Sequence, residues 1–418
     1  MNLSAGVVAN RIAASRWVLL AVLSCITVIN FVDRQSISIL YPIMERELHL
    51  PPRTYTTLVT VFLVAYTPMY AIGGWIADWI GARNGLALAL AWWSAATILT
   101  ASVHGVGWLV ALRVMLALGQ AMIFPAGVKA CAEFFPTQER ALATGIFSAG
   151  SGVGALLATP ILAAIALHAG WRWAMAIPGF IGVLIVPIWM LVYSLTTKLP
   201  DASATTVKKS WGEVIRHRSA LALVLPRIIG DPLWYFCFFW IPVYLQEVRH
   251  LDLKAMALVG WLPFLFADLG SIVGGSLSDL LIRRGYQPVR ARVKVLIWSA
   301  VVAPLGAMAG WVPSLWLAIL LMGLMAFLSQ CWTVTTVTLA TDIIPQSSVG
   351  GIAGMMGTAG GIGAVFVSQF TGAAVRDFGF APTFVFAALL LPTAVLMLVF
   401  LLRASAVAAS EKVRVTFN

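Results

Sequence analysis

Charged residues are scarce in this chain of 418 residues: only 10% are Asp, Glu, Lys or Arg, whereas 61% are apolar. A soluble globular protein carries about 25% charged residues, so a surface this poor in charge could not stay in water. The chain instead contains a succession of long uncharged apolar runs, and a helix needs about 20 such residues to cross a bilayer. The composition excludes a soluble protein and predicts an all-α membrane protein that crosses the bilayer many times.

Cysteine and histidine are also rare, with four and five residues. The cysteines lie in different apolar runs without paired spacing, and no histidine lies in the middle of a run, so we expect no disulfide, metal or haem site. No cluster of catalytic side chains suggests a membrane enzyme, and no stretch between the apolar runs is long enough to form a soluble receptor domain. We therefore expect neither enzyme activity nor a bound cofactor.

The positions of the apolar runs predict about twelve membrane-spanning helices. These spans, numbered 1 to 12 below, lie at about 17–44, 54–75, 85–103, 108–132, 141–167, 173–196, 220–245, 255–280, 293–311, 314–341, 350–374 and 380–403. Twelve spans put both termini on one side, and Lys and Arg are about three times as frequent on that side as on the other. This bias predicts cytoplasmic termini, and it explains the net charge of +11 by membrane topology rather than by nucleic-acid binding.

Two sequence patterns recur half a chain length later. Glu133-Phe-Phe-Pro136 followed by Gly145, Gly152 and Gly154 is echoed by Asp342-Ile-Ile-Pro345 followed by Gly354, Gly361 and Gly363. Gly74, Asp78 and Arg83 are echoed by Gly275, Asp279 and Arg284. Matching loops at matching spans predict two parallel six-helix repeats, an arrangement typical of secondary transporters and unlike that of a channel. We divide the chain into a first bundle (1–197), a cytoplasmic linker (198–219), a second bundle (220–404) and a cytoplasmic tail (405–418).

The segment from Gly73 to Arg83 resembles the signature loop of the major facilitator superfamily, and Gly275 to Arg284 resembles a weaker copy of it. The resemblance implies the major facilitator fold, with spans 1, 4, 7 and 10 around a central cavity, and transport by alternating access. An Asp at a helix end can cap a helix or pair with an Arg across the cytoplasmic gap. The expected gating residues are Asp78, Arg83, Asp279 and Arg284, with solvated loop charges as the alternative.

A few ionisable side chains interrupt the spans: Asp33, Arg34, Arg113, Arg227, Asp231 and Asp268. A charge buried in a membrane costs several kcal/mol unless it is paired or wetted, so each is a functional candidate. The guanidinium forks of Arg34 and Arg113 suit a carboxylate, which predicts an anion site. Arg227 either joins that site or pairs with Asp231, one helical turn further on.

Aromatic and polar side chains within the spans add candidates for binding a sugar-like ring. Such a ring needs flat apolar faces and side-chain hydrogen bonds together, which Tyr66, Trp234, Tyr235 and Gln330 could supply. The alternative for each aromatic residue is helix packing or anchoring at the membrane surface.

Four segments of the first half resemble the anion:cation symporter family: Phe31-Val-Asp33-Arg34, Arg113, Phe124–Gly127 and Phe134–Ala141. Segments of the second half resemble its hexuronate transporter branch: Leu225–Trp234, Trp240–Pro242 and Trp261–Gly270. The resemblance implies a monomeric carrier in a bacterial cytoplasmic membrane that imports glucuronate or galacturonate with protons. Another organic anion, such as galactonate, glucarate, tartrate or an aromatic acid, remains the alternative substrate.

One position departs from the family pattern. The family places a Glu that takes part in proton coupling seven residues after the Arg of span 4, and this chain has Gln120 there. Glutamine is nearly isosteric with glutamate but cannot be protonated. We expect either that proton coupling uses Asp33, Asp231 or Asp268, or that coupling is disabled.

Overall fold

The computed structural model describes the backbone of residues 2–51, 53–199, 218–251, 255 and 259–415. Side chains are described for residues 15–405 except 52, 56, 200–217, 252–254 and 256–258. Most of the predicted linker and the side chains of the predicted tail beyond residue 405 therefore lie outside the described residues. All regular structure within the described ranges is helical, as the composition predicts.

The helices follow the predicted spans closely. In chain order they are Asn2–Leu48, Thr54–Thr100, Val106–Gln120, Ile123–Phe134, Arg140–Ala169, Trp171–Leu195, Arg218–Val224, Arg227–Gly230, Pro232–Glu247, Leu262–Arg283, Pro288–Val302, Leu315–Ile343, Val349–Phe378 and Phe380–Val415, with short 3-10 helices at Ala303–Gly310 and Gln346–Ser348. Within the described residues, 11 helical stretches are long and apolar enough to cross a membrane.

The helix Thr54–Thr100 contains two spans, which brings the count to the predicted twelve. Gly81 interrupts it with φ 83° and ψ 157°, a left-handed conformation that glycine adopts without strain. A Cβ atom added to Gly85 would lie 3.3 Å from the Cα atom of Ala77. Those residues would be about 12 Å apart in a straight helix, so the chain reverses direction at Gly81.

Glycines in spans 5 and 11 allow close helix packing at equivalent positions of the two repeats. A Cβ atom on Gly154 would lie 2.5 Å from the carbonyl oxygen of Val28 in span 1. A Cβ atom on Gly363 would approach the carbonyl oxygen of Ile228 in span 7 even more closely. The repeated glycine pattern therefore corresponds to repeated contacts, in which a side chain would separate the two backbones.

Large apolar side chains remain exposed along the spans. Leu167, Phe366 and Leu396 are 84%, 71% and 72% exposed. Exposed apolar surface on this scale would cause a soluble protein to aggregate, but it suits contact with lipid.

The described chain packs into two compact units. The first contains residues 1–136, 146–202 and 349–354, and the second contains residues 137–145, 203–348 and 355–418. Each unit thus combines most of one repeat with a short segment from the other: the beginning of span 5 belongs to the second unit, and the beginning of span 11 to the first.

Candidate functional site

Arg34 is the centre of a polar cluster in the first unit. Its Nη2 donates a hydrogen bond to the hydroxyl of Tyr66 at 2.8 Å, and its Nε donates to Oε1 of Gln120 at 3.3 Å. The guanidinium lies over the rings of Phe31 and Tyr66, at 4.7 and 4.5 Å from their centroids. Three predicted residues, Arg34, Tyr66 and Gln120, are therefore brought together.

Arg113 lies next to this cluster and is 6% exposed. Both of its terminal nitrogens donate to the backbone carbonyl of Arg34, at 3.5 and 3.4 Å, and its guanidinium lies 4.5 Å from the ring centroid of Phe62. Among the residues that the structure describes, neither Arg34 nor Arg113 has an acidic partner. A buried and a half-buried cation that lie side by side without an acidic partner form a site suited to an anion.

Gln120 occupies the position at which the resemblance expects a glutamate. It accepts a hydrogen bond from Arg34 and donates one from Nε2 to the carbonyl of Asn30 at 3.1 Å. A carboxylate at this position would neutralise Arg34. The amide instead keeps a hydrogen bond to Arg34 and leaves its charge uncompensated.

Asp33, the chain neighbour of Arg34, is 1% exposed. Its Oδ2 accepts a hydrogen bond from Nε1 of Trp93, in span 3, at 3.0 Å. Its Oδ1 is buried and has no hydrogen-bond partner among the described residues. Asp33 is thus held by one neutral donor.

Arg227 and Asp231 form an ion pair in the second unit, with Nε 2.8 Å from Oδ2. Arg227 also donates to the hydroxyl of Thr336 at 2.8 Å, and Trp332 donates from Nε1 to Oδ1 of Asp231 at 2.9 Å. Because Asp231 neutralises Arg227, the structure favours the pairing alternative over a third anion-binding arginine.

The ion pair lies where the seventh span is broken. Pro226 precedes and Pro232 follows the short helix Arg227–Gly230, and proline cannot donate the backbone hydrogen bond that continues a helix. A Cβ atom on Gly230 would lie 2.6 Å from the Trp332 ring. The absent side chain allows the broken segment to pack directly against the residue that binds Asp231.

Trp234 and Tyr235 lie on the helix Pro232–Glu247, which follows this break, and both make aromatic contacts. Trp234 packs edge-on against Phe264 at 6.2 Å, and Tyr235 stacks with Phe239 at 6.4 Å between centroids. Gln330 and Asp268 are half-buried in spans 10 and 8.

Asp78 forms a network at the predicted loop between spans 2 and 3. It pairs with Lys129, with Nζ 2.7 Å from Oδ1, and it accepts hydrogen bonds from the backbone N–H groups of Gly350 and Gly351 at 3.0 and 2.6 Å. Those N–H groups open the helix Val349–Phe378, so the aspartate caps its positive end. Arg83 donates instead to the carbonyl of Met190, so the expected Asp–Arg pairing is replaced by Asp78–Lys129.

The second copy of the loop forms the equivalent network. Asp279 accepts a hydrogen bond from the backbone N–H of Leu142, in the first turn of span 5, at 2.8 Å. Its ionic partner is the fully buried Arg292, at 2.6 Å, which also contacts Asp342 at 3.2 Å. Arg284, the residue expected by sequence, is exposed. In both copies the supporting cation comes from another helix.

Sequence reasoning missed Lys129 and Arg292 as network residues. Lys129 falls inside predicted span 4, and a charge in an apolar run is the signal that could have identified it. Arg292 lies just before predicted span 9, among other basic residues that mark the cytoplasmic side. Nothing in its local spacing distinguishes it from them.

Comparisons with known proteins agree with this architecture. The family model described as Major Facilitator Superfamily matches residues 23–290. The hexuronate transporter of Escherichia coli K12 is 29% identical over 393 residues, covering 90% of this chain and 91% of that protein. The galacturonate transporter of Dickeya chrysanthemi is 27% identical, covering 71% and 90%, and a D-galactonate transporter of Escherichia coli O6:H1 is 26% identical, covering 89% and 92%.

Solved structures show the same fold. The fucose:proton symporter FucP of Escherichia coli superposes with a TM-score of 0.70 at 16% identity, covering 93% of this chain and 99% of that one. The proton:xylose symporter XylE superposes with a TM-score of 0.66 at 17% identity, covering 92% and 95%.

Proposed function

The chain belongs to the Major Facilitator Superfamily, and from this premise we propose that it imports a sugar-acid anion by alternating access, together with protons. The substrate class we propose is a hexuronate, glucuronate or galacturonate. The similarity to hexuronate and galacturonate transporters supports this class.

The uncompensated pair Arg34 and Arg113 is the observation that carries the proposal. A guanidinium presents parallel N–H donors that match the two oxygens of a carboxylate. We assign the substrate carboxylate to these two arginines, with the Tyr66 hydroxyl as a further donor. Since Asp231 neutralises Arg227, we leave Arg227 out of this carboxylate site.

We assign contacts with the sugar ring and its hydroxyls to Trp234, Tyr235 and Gln330. Flat aromatic faces cover the apolar side of a pyranose ring, and an amide both donates and accepts hydrogen bonds. Half-burial of Gln330 in span 10 supports this assignment because it keeps part of the amide accessible.

For proton coupling we favour Asp33 over Asp231 and Asp268. Asp231 forms an ion pair with Arg227, whereas Asp33 accepts a bond from the neutral Trp93. Asp268 is half-buried in span 8 and is the second candidate. Gln120 cannot take part in proton transfer itself, so the family's carboxylate at that position has no equivalent here.

We propose that the networks around Asp78 and Asp279 break and re-form during transport. Each aspartate binds both a cation and the first turn of a long helix, so moving that helix would break several bonds at once. We further propose a monomer in a bacterial cytoplasmic membrane with both termini in the cytoplasm, as the distribution of basic residues favours.

Uptake of labelled glucuronate into proteoliposomes tests the proposal. With an inward proton gradient the protein accumulates glucuronate, and without the gradient uptake is slower. Equal uptake with and without the gradient would contradict proton symport. A lack of binding to any sugar acid would contradict the substrate class.

Arg113→Ala tests the anion site separately from folding. The substitution should abolish glucuronate binding. It should lower the melting temperature only slightly, because removing a buried cation that has no acidic partner in the described structure offsets the lost contacts with the Arg34 carbonyl and Phe62. Arg172→Ala is the matched control, since Arg172 pairs with Glu47 at an exposed position, and it leaves binding unchanged.

Galactonate is the second candidate substrate, and the similarity to a D-galactonate transporter favours it. A panel of sugar acids, measured by the shift each causes in melting temperature, separates the candidates because at equal concentration the ligand with the lower Kd stabilises the folded protein more. The largest shift at equal concentration should come from glucuronate or galacturonate.

A further inference from the structure

A small cavity lies beside Asp33 in the first unit. Its polar lining consists of Asp33, Ser36, Thr97, Thr100 and Arg113, and apolar side chains of spans 1, 4 and 6 complete it. The volume within which the centre of a water molecule can lie is about 10 Å³. This is about the space that one ordered water needs.

Two buried polar atoms of the lining residues lack partners. Oδ1 of Asp33 and Nε of Arg113 have no hydrogen-bond partner within the described part of the chain. Buried polar atoms that stay unsatisfied destabilise the folded protein. Water in the cavity would supply a partner, and a buried water needs two to four polar neighbours.

The threonines provide the other neighbours. The hydroxyl of Thr97 donates to the carbonyl of Trp93 at 3.0 Å, and that of Thr100 donates to the carbonyl of Ala96 at 2.7 Å. A hydroxyl oxygen that donates in this way keeps its lone pairs for accepting a bond. The two side chains therefore line the cavity as acceptors, next to the carboxylate of Asp33.

The position of the cavity relates it to one side of the membrane. Ser36 follows Asp33 in span 1, Thr97 and Thr100 lie near the end of span 3, and Arg113 lies near the start of span 4. With cytoplasmic termini, all of these positions lie on the outer side of Asp33.

We propose that this cavity holds ordered water and is the route by which protons from outside reach Asp33. The ordered water passes one proton to Oδ1 of Asp33 and takes up one proton from water on the outer side, so no hydronium ion resides in the cavity, while Oδ2 keeps its bond from Trp93. This inference rests on the proposed proton coupling and adds to it the path and the lining residues.

The charge around the cavity favours water over a bound metal cation. A carboxylate with three hydroxyls could otherwise suit sodium, but Arg113 lines the same cavity and Arg34 is the chain neighbour of Asp33. These two nearby guanidinium charges repel a metal cation, whereas a water molecule is neutral.

The double substitution Thr97→Val and Thr100→Val removes both hydroxyls while nearly conserving volume. Uptake of glucuronate driven by a proton gradient should slow by about tenfold, the effect of losing about one hydrogen bond to the moving proton. Exchange of external labelled glucuronate for internal unlabelled glucuronate requires no net proton movement, so it should keep the parental rate.

Thr371→Val is the matched control. Thr371 is also buried, and its hydroxyl donates to the carbonyl four residues earlier at 2.7 Å, but it does not line the cavity. This variant should match the parent in both assays.

The outcomes separate this inference from the proposed function. Equal slowing of driven uptake and exchange, or no slowing of either, would overturn the proton route. Restoration of the variant's proton-driven uptake by external sodium would also overturn the proton route. If a proton gradient does not change uptake by the unmodified protein, the proposed symport itself fails. An experimental density map tests the site independently: an ordered water bonded to Oδ1 of Asp33 supports it, and an empty cavity contradicts it.

Discussion

Replacing Gln120 by glutamate tests how the anion site keeps its charge. Oε1 of Gln120 lies 3.3 Å from Nε of Arg34, so a carboxylate here would compete with the substrate for the same guanidinium. When the new side chain is protonated, it resembles glutamine, and the site regains its positive charge. Gln120→Glu should therefore make glucuronate affinity fall as the pH rises through the pKa of the new carboxyl group.

The size of the effect follows from the geometry. Two unit charges about 4 Å apart interact by about 4 kcal/mol at an effective dielectric constant of 20. Burying the new carboxylate offsets part of this attraction, and Arg113 still binds the substrate. We expect a loss of roughly 2 kcal/mol, or about 30-fold in affinity, between the protonated and the charged form.

Isothermal titration of glucuronate across a pH series measures this change directly. The control is Gln120→Met, which removes both amide hydrogen bonds without adding charge and should bind with the same pH dependence as the parent. If Gln120→Glu binds glucuronate as tightly as the parent at every pH, Arg34 does not bind the substrate carboxylate. In the transport assay, the new protonatable group should strengthen coupling to the proton gradient.

Three further substitutions test the networks and the packing. Lys129→Ala leaves Asp78 buried without its cation, so we expect a loss of about 3–5 kcal/mol in the free energy of unfolding, seen as a lower melting temperature. Arg227→Ala should destabilise the protein by a similar amount because it leaves Asp231 without its ionic partner. The protein that remains folded should bind glucuronate with unchanged affinity. Gly154→Ala should cost about 1–3 kcal/mol, since its Cβ atom would meet a backbone oxygen.

Controls for these substitutions come from the same chain. Gly107→Ala places a Cβ atom where no other atom lies within 4 Å, so it should leave the melting temperature unchanged. Adding Asp78→Asn to Lys129→Ala should recover part of the stability, because it removes the stranded charge. A loss of glucuronate affinity in folded Arg227→Ala protein would show that Arg227 contacts the substrate after all.

The apolar runs were sufficient to predict the helices, since each span requires a fixed length of uncharged chain. Interruptions within runs were harder to predict. The reversal at Gly81 falls in the loop predicted between spans 2 and 3, but Pro226 and Pro232 divide the seventh span, which the apolar run predicts as one helix. Local spacing carries information about the same helix but little about its neighbours.

The candidate site divides in the same way. Chemical type alone indicates Arg34, Arg113 and Tyr66, because charged side chains are rare in spans and Tyr66 combines a ring with a hydroxyl group. The pairing of the loop aspartates with their cations could not be inferred, since Lys129 lies 51 residues from Asp78 along the chain and only the folded structure brings them together.

Uptake of labelled glucuronate by proteoliposomes containing Arg113→Ala protein, measured beside the unmodified protein under the same proton gradient, tests the central claim most directly. We predict that the unmodified protein accumulates glucuronate and that the variant, shown to be folded by its melting transition, takes up no more than protein-free liposomes. Uptake by the variant at the parental rate would contradict the assignment of the anion site.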